Sequence, residues 1–268
     1  TKLREEQFGR ESVTPSIVEF TQDEQRLLFE HAFQGENFEA FLEETQRFDL
    51  TPLLGNPQFL QIFGYAFVQN HGKFQSKLQI YSDAARQLAL EANSGRSSRG
   101  RPEASAIVKE AGNIFAHLLL SGASGLTVKE KIDDCNYPYI VKFKDVLLIE
   151  WKALLDSQLF KLGSTPDEHE PVHRIVAEFL AAKHLINQTE DSTNRLSTRR
   201  CLAVIAPNGV VRDELRGLFG WMAALGNIET QKKLIEIDPY AVLANGDPSQ
   251  LTPQNKIFLI QLSIHCRS

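Results

Sequence analysis

Residues 171–185 read PVHRIVAEFLAAKHL, and this stretch decides the fold. Apolar side chains recur at helical spacing through Val172, Val176 and Phe179, which predicts a helix over residues 173–186. Two short runs with strand character, residues 158–162 and 168–172, precede it on either side of the turn sequence GSTPD. Two strands joined by a turn and preceded by short helices are typical of a winged-helix unit.

The rest of the chain is predicted to be helical. Capping boxes formed by Thr21 with Glu24, and by Thr127 with Glu130, mark two helix starts. Pairs of a capping residue and a proline mark three more, at residues 51–52, 56–57 and 238–239. Apolar periodicity predicts further helices over residues 74–92, 107–119 and 145–155, and four or five after residue 196.

The predicted fold is therefore mainly α. It consists of a helical bundle, a winged-helix-like unit with a small β wing, and a helical array. The turn-like sequence NSGRSSRGR at residues 93–101 places a boundary near residue 96. The expected segments are the tail of an upstream nucleotide-binding domain (1–18), a helical domain (19–96), a winged-helix-like domain (97–190) and a C-terminal helical domain (191–268).

Composition and charge exclude several classes of protein. The net charge of −5 argues against a nucleic-acid surface. No apolar run approaches the length of about 18 residues that spans a bilayer, and no signal-peptide core is present, so we expect no membrane partner. Three widely spaced cysteines indicate reduced thiols and a cytoplasmic location. The sequence begins with Thr1 rather than Met, and we expect it to be part of a longer protein.

The sequence lacks the motifs of a complete catalyst. Its one Gly-Lys pair is followed by Phe74 and has no preceding glycine, so it is not a phosphate-binding loop. The run at residues 146–150, VLLIE, imitates the strand and acid of a magnesium site, but its flanks favour a buried helix. His169 and His173 have the spacing of metal ligands, yet Pro171 separates them and no third ligand is near in sequence. We expect this chain not to be an enzyme by itself.

Three stretches, in order, resemble NACHT-type STAND signalling ATPases, in particular bacterial ones. The first is residues 48–63, FDLTPLLGNPQFLQIF, and the third is residues 213–262, which contain LRGLFGWMAAL and DPYAVLANGDPSQLT. The second and most specific is residues 171–185, which are similar to the family signature His-x-x-x-x-Glu-[Phe/Tyr]-Leu-Ala-Ala. The resemblance extends from about residue 16 onward and covers the helical and winged-helix parts that follow the nucleotide-binding core.

The resemblance implies a set of nucleotide-contacting residues. The family's Gly-x-Pro element lies against adenine, and it corresponds here to Gly55 and Pro57; a proline that only starts a helix is the alternative, and both roles are compatible. The family's winged-helix histidine contacts the β-phosphate of ADP and corresponds to His173, although a packing role is also open. This chain departs from the family pattern at Val172 and at residues 176–177.

The implied function is that of a regulatory arm. ATP or ADP would be shared with the absent core, and bound ADP would hold the arm closed over the upstream nucleotide-binding domain. Nucleotide exchange, prompted by a protein trigger, would permit homo-oligomerisation, with antiviral defence as a setting. Two alternatives stay open: a helical protein-interaction scaffold without a nucleotide, and a winged-helix DNA-binding regulator.

Overall fold

The computed structural model describes residues 19–90, 102–130, 135–145, 147–191, 193 and 196–265. The predicted upstream tail (1–18) and the predicted loop (93–101) lie outside these ranges. The chain divides into two compact units, residues 1–73 and residues 74–268. The segment boundaries expected from the sequence are not tested by this division and stay predictions.

The first unit is a small helical bundle. Its helices are α1 (Gln22–Ala32), α2 (Phe38–Arg47) and α3 (Pro57–Gln69), with a 3₁₀ turn at Thr51–Leu53. The capping box that starts α1 is confirmed, because the Thr21 amide donates to Glu24 at 2.8 Å and the Glu24 amide donates back to Thr21. The Thr51–Pro52 pair is different: Leu50 occupies the cap position, and no side chain caps the turn.

Phenylalanine rings fill the core of the first unit. The rings of Phe29 and Phe41 stack with centroids 4.5 Å apart, and Phe67 meets Phe41 edge-on. On α3, a β-carbon at Gly64 would lie 2.2 Å from the ring of Phe33, so this helix approaches that ring more closely than any other residue type allows. Apolar burial of this kind contributes roughly 1.5–3 kcal/mol for each ring.

The second unit is a layer of packed helices with a small sheet. Its principal helices are α4 (Lys77–Leu90), α5 (Ala104–Ser121), α7 (Arg174–Glu190) and α9 (Arg216–Leu225). Helix α5 packs along α7, and α7 packs on α9. The ring of Trp221 lies 4.9 Å from Phe179 and 5.1 Å from Tyr81, centroid to centroid, so Trp221 anchors the core of this unit.

A three-stranded antiparallel sheet stands where the β wing is predicted. Strand β3 (Glu168–Pro171) lies between β1 (Leu126–Thr127) and β2 (Phe160–Leu162). The two predicted strands are confirmed in position. Strand β1 is not predicted by the sequence, and it replaces the second capping box: Thr127 pairs with Glu168 in the sheet instead of starting a helix. A strand of two residues has no periodicity to recognise, so the Thr-x-x-Glu spacing alone was misleading.

The predicted helix over residues 145–155 is also wrong in its first half. Helix α6 covers only Trp151–Leu155. The described residues of the VLLIE run lie outside any helix, and the side chain of Leu148 is 78% exposed, so the run is not a buried helix. Val146 lies outside the described ranges. Four consecutive apolar residues carry no helical phase, which explains the error.

Helices complete the second unit. Over residues 196–265 they are α8 (Thr198–Ile205), α9, α10 (Ile228–Ile237), α11 (Pro239–Ala244) and α12 (Pro253–His265), in agreement with the predicted four or five. Asp238 caps α11 ahead of Pro239, as predicted. Within the described ranges, no helix combines the length and the apolar character needed to cross a bilayer.

Candidate functional site

His173 stands between the sheet and the longest helix of the C-terminal half. Strand β3 ends at Pro171 and α7 begins at Arg174, and His173 has extended backbone angles as the N-cap residue. Its Nδ1 accepts the amide proton of Ile175 at 3.2 Å. A neutral imidazole has one acceptor and one donor nitrogen, so a ring that accepts through Nδ1 carries its proton on Nε2. The cap therefore leaves this side chain with a single donor atom, Nε2.

A cavity of about 500 Å³ adjoins His173. It is bounded by the start of α7, the last turns of α5 and the strands β2 and β3. Two cations line it, Lys161 from β2 and Arg174 from α7, together with two acids, Glu170 from β3 and Glu214 just before α9. The first amides of α7 add the positive end of a helix dipole. The donor, the two cations and the helix start attract an anion, and the two acids oppose it.

The charges in the cavity wall have partners within the protein. The Lys161 ammonium lies 3.7 Å from Glu170, which also accepts the hydroxyl proton of Tyr137. Arg174 donates through Nε to Glu178 at 2.8 Å and through Nη2 to the carbonyl oxygen of Glu214. An anion that enters the cavity would compete with Glu170 for Lys161.

Glu178 has a structural role. Its side chain is buried between α7 and α9, and burial raises the pKa of the carboxyl although Arg174 lowers it. A β-carbon at Gly217 would lie 2.0 Å from Glu178 Oε2. The glycine on α9 therefore provides the room that the carboxylate occupies.

Gly55 and Pro57 belong to the first unit. Asn56 caps α3 by accepting the Gln58 amide proton at 2.9 Å, and Pro57 is the first residue of that helix, as predicted. The Pro57 ring is exposed. Gly55 is buried; its carbonyl accepts the Phe20 amide proton at 3.0 Å, and a β-carbon there would lie 2.9 Å from that of Glu19. The absence of a side chain at Gly55 thus lets residues 19–20 pass close to its backbone.

The three predicted nucleotide contacts divide between the two units. Gly55 and Pro57 lie in residues 1–73, and His173 lies in residues 74–268. That all three meet one nucleotide stays a prediction.

The two histidines considered as a metal site belong to different elements, the strand β3 and the N-cap of α7. His169 lies on β3 opposite Leu162, and burial lowers the pKa of its ring, while Asp156 and Asp167 act in the opposite direction. Over the residues that the structure describes, no group of three or more histidine, cysteine, aspartate or glutamate residues is placed to hold a metal ion.

No family model matches this sequence, and no curated protein is similar to it. The likeness to NACHT-type proteins therefore depends on the three stretches quoted above and on the residue types they contain.

Sequence reasoning missed the residues that surround His173. Arg174 could have been found, because it follows the histidine directly and precedes Glu178 by one helical turn. Lys161 and Glu170 could not, since the antiparallel register of β2 and β3 alone sets them opposite each other.

Proposed function

We propose that this chain is the regulatory arm of a nucleotide-switched signalling ATPase of the NACHT type. The observation that supports it is the capping geometry of His173, which fixes Nε2 as the donor of a ring that lines a cavity together with Lys161 and Arg174. A phosphate oxygen of ADP is the acceptor that this arrangement suits best. The rest of the nucleotide site would come from an upstream core.

The neighbouring charges would tune the contact with phosphate. Lys161 would move from Glu170 towards the phosphate, since a charge-assisted bond to a dianion exceeds a half-exposed ion pair in strength. Arg174 is held by Glu178 and Glu214 and would contribute its charge without moving. Glu170 opposes the anion, so its neutralisation should tighten binding.

The contact would also explain a switch. A ligand shifts an equilibrium between two states only if it interacts with them differently. The bond from His173 to the β-phosphate would exist in the closed, ADP-bound state and be lost in the open state. A hydrogen bond to a charged group contributes about 1.5–3 kcal/mol, which corresponds to roughly a 10- to 150-fold preference. Release of the arm would then expose surfaces for homo-oligomerisation.

The decisive experiment uses the full-length protein and separates the two roles of His173. In His173→Ser the hydroxyl can still cap α7, whereas the Nε2 donor is lost. His173→Ala removes both, and His31→Ala, an exposed histidine at the end of α1, serves as the matched control. Nucleotide that co-purifies with each variant is released by denaturation and quantified by chromatography, and the ADP dissociation constant is measured by calorimetry.

We expect His173→Ser and His173→Ala to lose ADP affinity by at least about tenfold, and His31→Ala to retain it. If the serine variant retains ADP and the alanine variant loses it, the role of His173 is only to cap α7. A full-length protein without a phosphate-binding loop upstream, or one that purifies without nucleotide, would refute the proposal altogether.

The scaffold alternative is favoured by one observation. Ile257, Ile260 and Ile264 of α12 are 60%, 59% and 65% exposed and follow one another at helical spacing. An apolar face of this kind is typical of surfaces that bind another protein. Full-length protein that binds no nucleotide, and whose partner is lost in Ile260→Asp, would support this reading instead.

The DNA-binding alternative has weaker support. Helix α6, in the position of a recognition helix ahead of β2, has five residues and a single cation, Lys152. A helix of about 8 Å with one positive charge offers little to a major groove. Salt-dependent retardation of duplex DNA would revive this reading.

A further inference from the structure

A second cavity, of about 270 Å³, lies between helices α4, α5 and α7. Each helix contributes one cation to its wall: Arg86 from α4, Lys109 from α5 and Lys183 from α7. None of the described residues that line the cavity is an aspartate or a glutamate. This is a local concentration of positive charge in a chain of net charge −5.

Helical spacing supplies a neutral hydrogen-bonding group beside each cation. Ser82 is one turn before Arg86, Ser105 one turn before Lys109, and Asn187 one turn after Lys183, and residues four apart share a helix face. The cavity wall thus holds hydroxyl and amide donors next to each positive charge. Phosphate oxygens accept from all of these groups.

The three cations have no counter-ion among the residues that the structure describes. None of Arg86, Lys109 and Lys183 has a described carboxylate oxygen within 4.0 Å. Lys161 and Arg174 near His173, in contrast, are both paired. The carboxylate of Glu103 does reach one lining group, accepting the hydroxyl proton of Ser105 at 3.3 Å. Uncompensated like charges on neighbouring helices repel each other, and an anion would relieve that repulsion.

His184 also lines this cavity, and its pKa is affected by one of the same positive charges. Burial lowers the pKa of this ring to about 4, and His117 and Lys109 act in the same direction. The ring is therefore neutral at pH 7 and retains one N–H donor. Leu180, fully buried, and Val108 give the cavity an apolar lining beside it.

We propose that this cavity binds a small phosphate-bearing molecule, held by Arg86, Lys109 and Lys183. Its volume suits a diphosphate or a sugar phosphate better than a whole nucleotide, since pockets for drug-sized ligands span roughly 300–1,000 Å³. The site goes beyond the proposed function: His173 and His184 are eleven residues apart on one helical segment, about 16 Å along its axis. No residue of the predicted nucleotide site lines the cavity.

The test measures binding of inorganic pyrophosphate to the chain by titration calorimetry at low salt. Lys109→Gln/Lys183→Gln removes two cations from the cavity, and Arg86→Gln removes the third. Lys142→Gln/Lys144→Gln, two exposed lysines elsewhere in the same unit, makes the same change in net charge. His173→Ala separates the two cavities. Circular dichroism checks that each variant is folded. Substitutions at the surface should leave the fold unchanged.

We expect saturable binding that is weakened about 10- to 100-fold in Lys109→Gln/Lys183→Gln and in Arg86→Gln. The control pair should bind like the wild type. In His173→Ala, whose own cavity also holds groups that attract an anion, a saturable site that depends on Lys109 and Lys183 should persist. In addition, pyrophosphate should shift the ring-proton resonances of His184 in NMR spectra, because a nearby anion stabilises the protonated ring.

Three results of the pyrophosphate titrations would overturn the proposal. They are equal weakening in the cavity and control pairs, loss of binding only in His173→Ala, and absence of saturable binding. Binding of duplex DNA, with steep salt dependence and without competition by pyrophosphate, would assign the cations to nucleic acid and equally overturn it. The proposed function is tested separately, by ADP binding to the full-length protein, so failure here leaves it to its own test.

Discussion

A β-carbon at Gly112 would lie 2.6 Å from the carbonyl oxygen of Leu180. The backbones of helices α5 and α7 therefore meet directly at this point, and any residue other than glycine would push the two helices apart. The same crossing places Lys109 and Lys183 on the wall of one cavity. The close approach of these two helices is thus linked to the proposed phosphate site.

Gly112→Ala should destabilise the second unit. Helix propensity alone predicts that this substitution stabilises the helix by about 1 kcal/mol, whereas overpacking costs about 1–3 kcal/mol. The sign of the change in unfolding free energy therefore shows which effect dominates. Urea denaturation followed by circular dichroism gives the difference in unfolding free energy. A stabilised variant would contradict the close contact.

Gly217→Ala should be destabilising in a manner that depends on Glu178. The added methyl would displace a buried carboxylate that Arg174 holds at 2.8 Å. In a Glu178→Ala background the methyl has space. A double-mutant cycle should therefore give a coupling energy of about 0.5–3 kcal/mol. Additive effects of the two substitutions would show that the side chains do not meet.

Asp247→Ala should destabilise the second unit by about 1–3 kcal/mol. This buried carboxylate accepts the Leu78 amide at 3.1 Å at the start of α4, and the amide and hydroxyl protons of Ser249. It joins two segments 169 positions apart in sequence. Asp238→Ala, which removes a cap that acts within α11, should cost less, about 1 kcal/mol. Equal thermal stability of both variants would contradict the tertiary role of Asp247.

Stability should fall as the pH is lowered from about 6.5 to about 4. The folded-state pKa of His184 is lowered to about 4, while an unfolded chain has the ordinary value of 6.5. In this window the unfolded state binds a proton that the folded state does not, so protonation favours unfolding. His184→Gln should flatten the slope of unfolding free energy against pH between 7 and 5. An NMR titration that gives an ordinary pKa for His184 would refute this.

Local chemistry made much of the fold predictable. Side-chain caps act within one turn, so the helix starts at Thr21, Asn56 and Asp238 could be predicted from the sequence. The long amphipathic patterns of α5 and α7 did the same. Where a pattern was short the prediction was wrong: Thr127 entered a strand, and the helix expected from residue 145 began only at Trp151.

The candidate site was only partly visible in the sequence. His173 and its helix were predicted, and so was the start of α3 at Pro57. Lys161 and Glu170, which flank the cavity, depend on strand register, which is set by pairing between distant residues. The three cations of the second cavity stand on three helices whose order in sequence does not give their packing.

The sequence by itself determined the mainly helical class, the helix caps, the two longer strands and the position of His173, because each depends on residues within a few positions of one another. Only the tertiary structure decided strand β1, the burial of Glu178 against Gly217, and the meeting of Arg86, Lys109 and Lys183. These features depend on contacts between residues that are far apart in the chain, and such contacts arise from the packing of all the helices together.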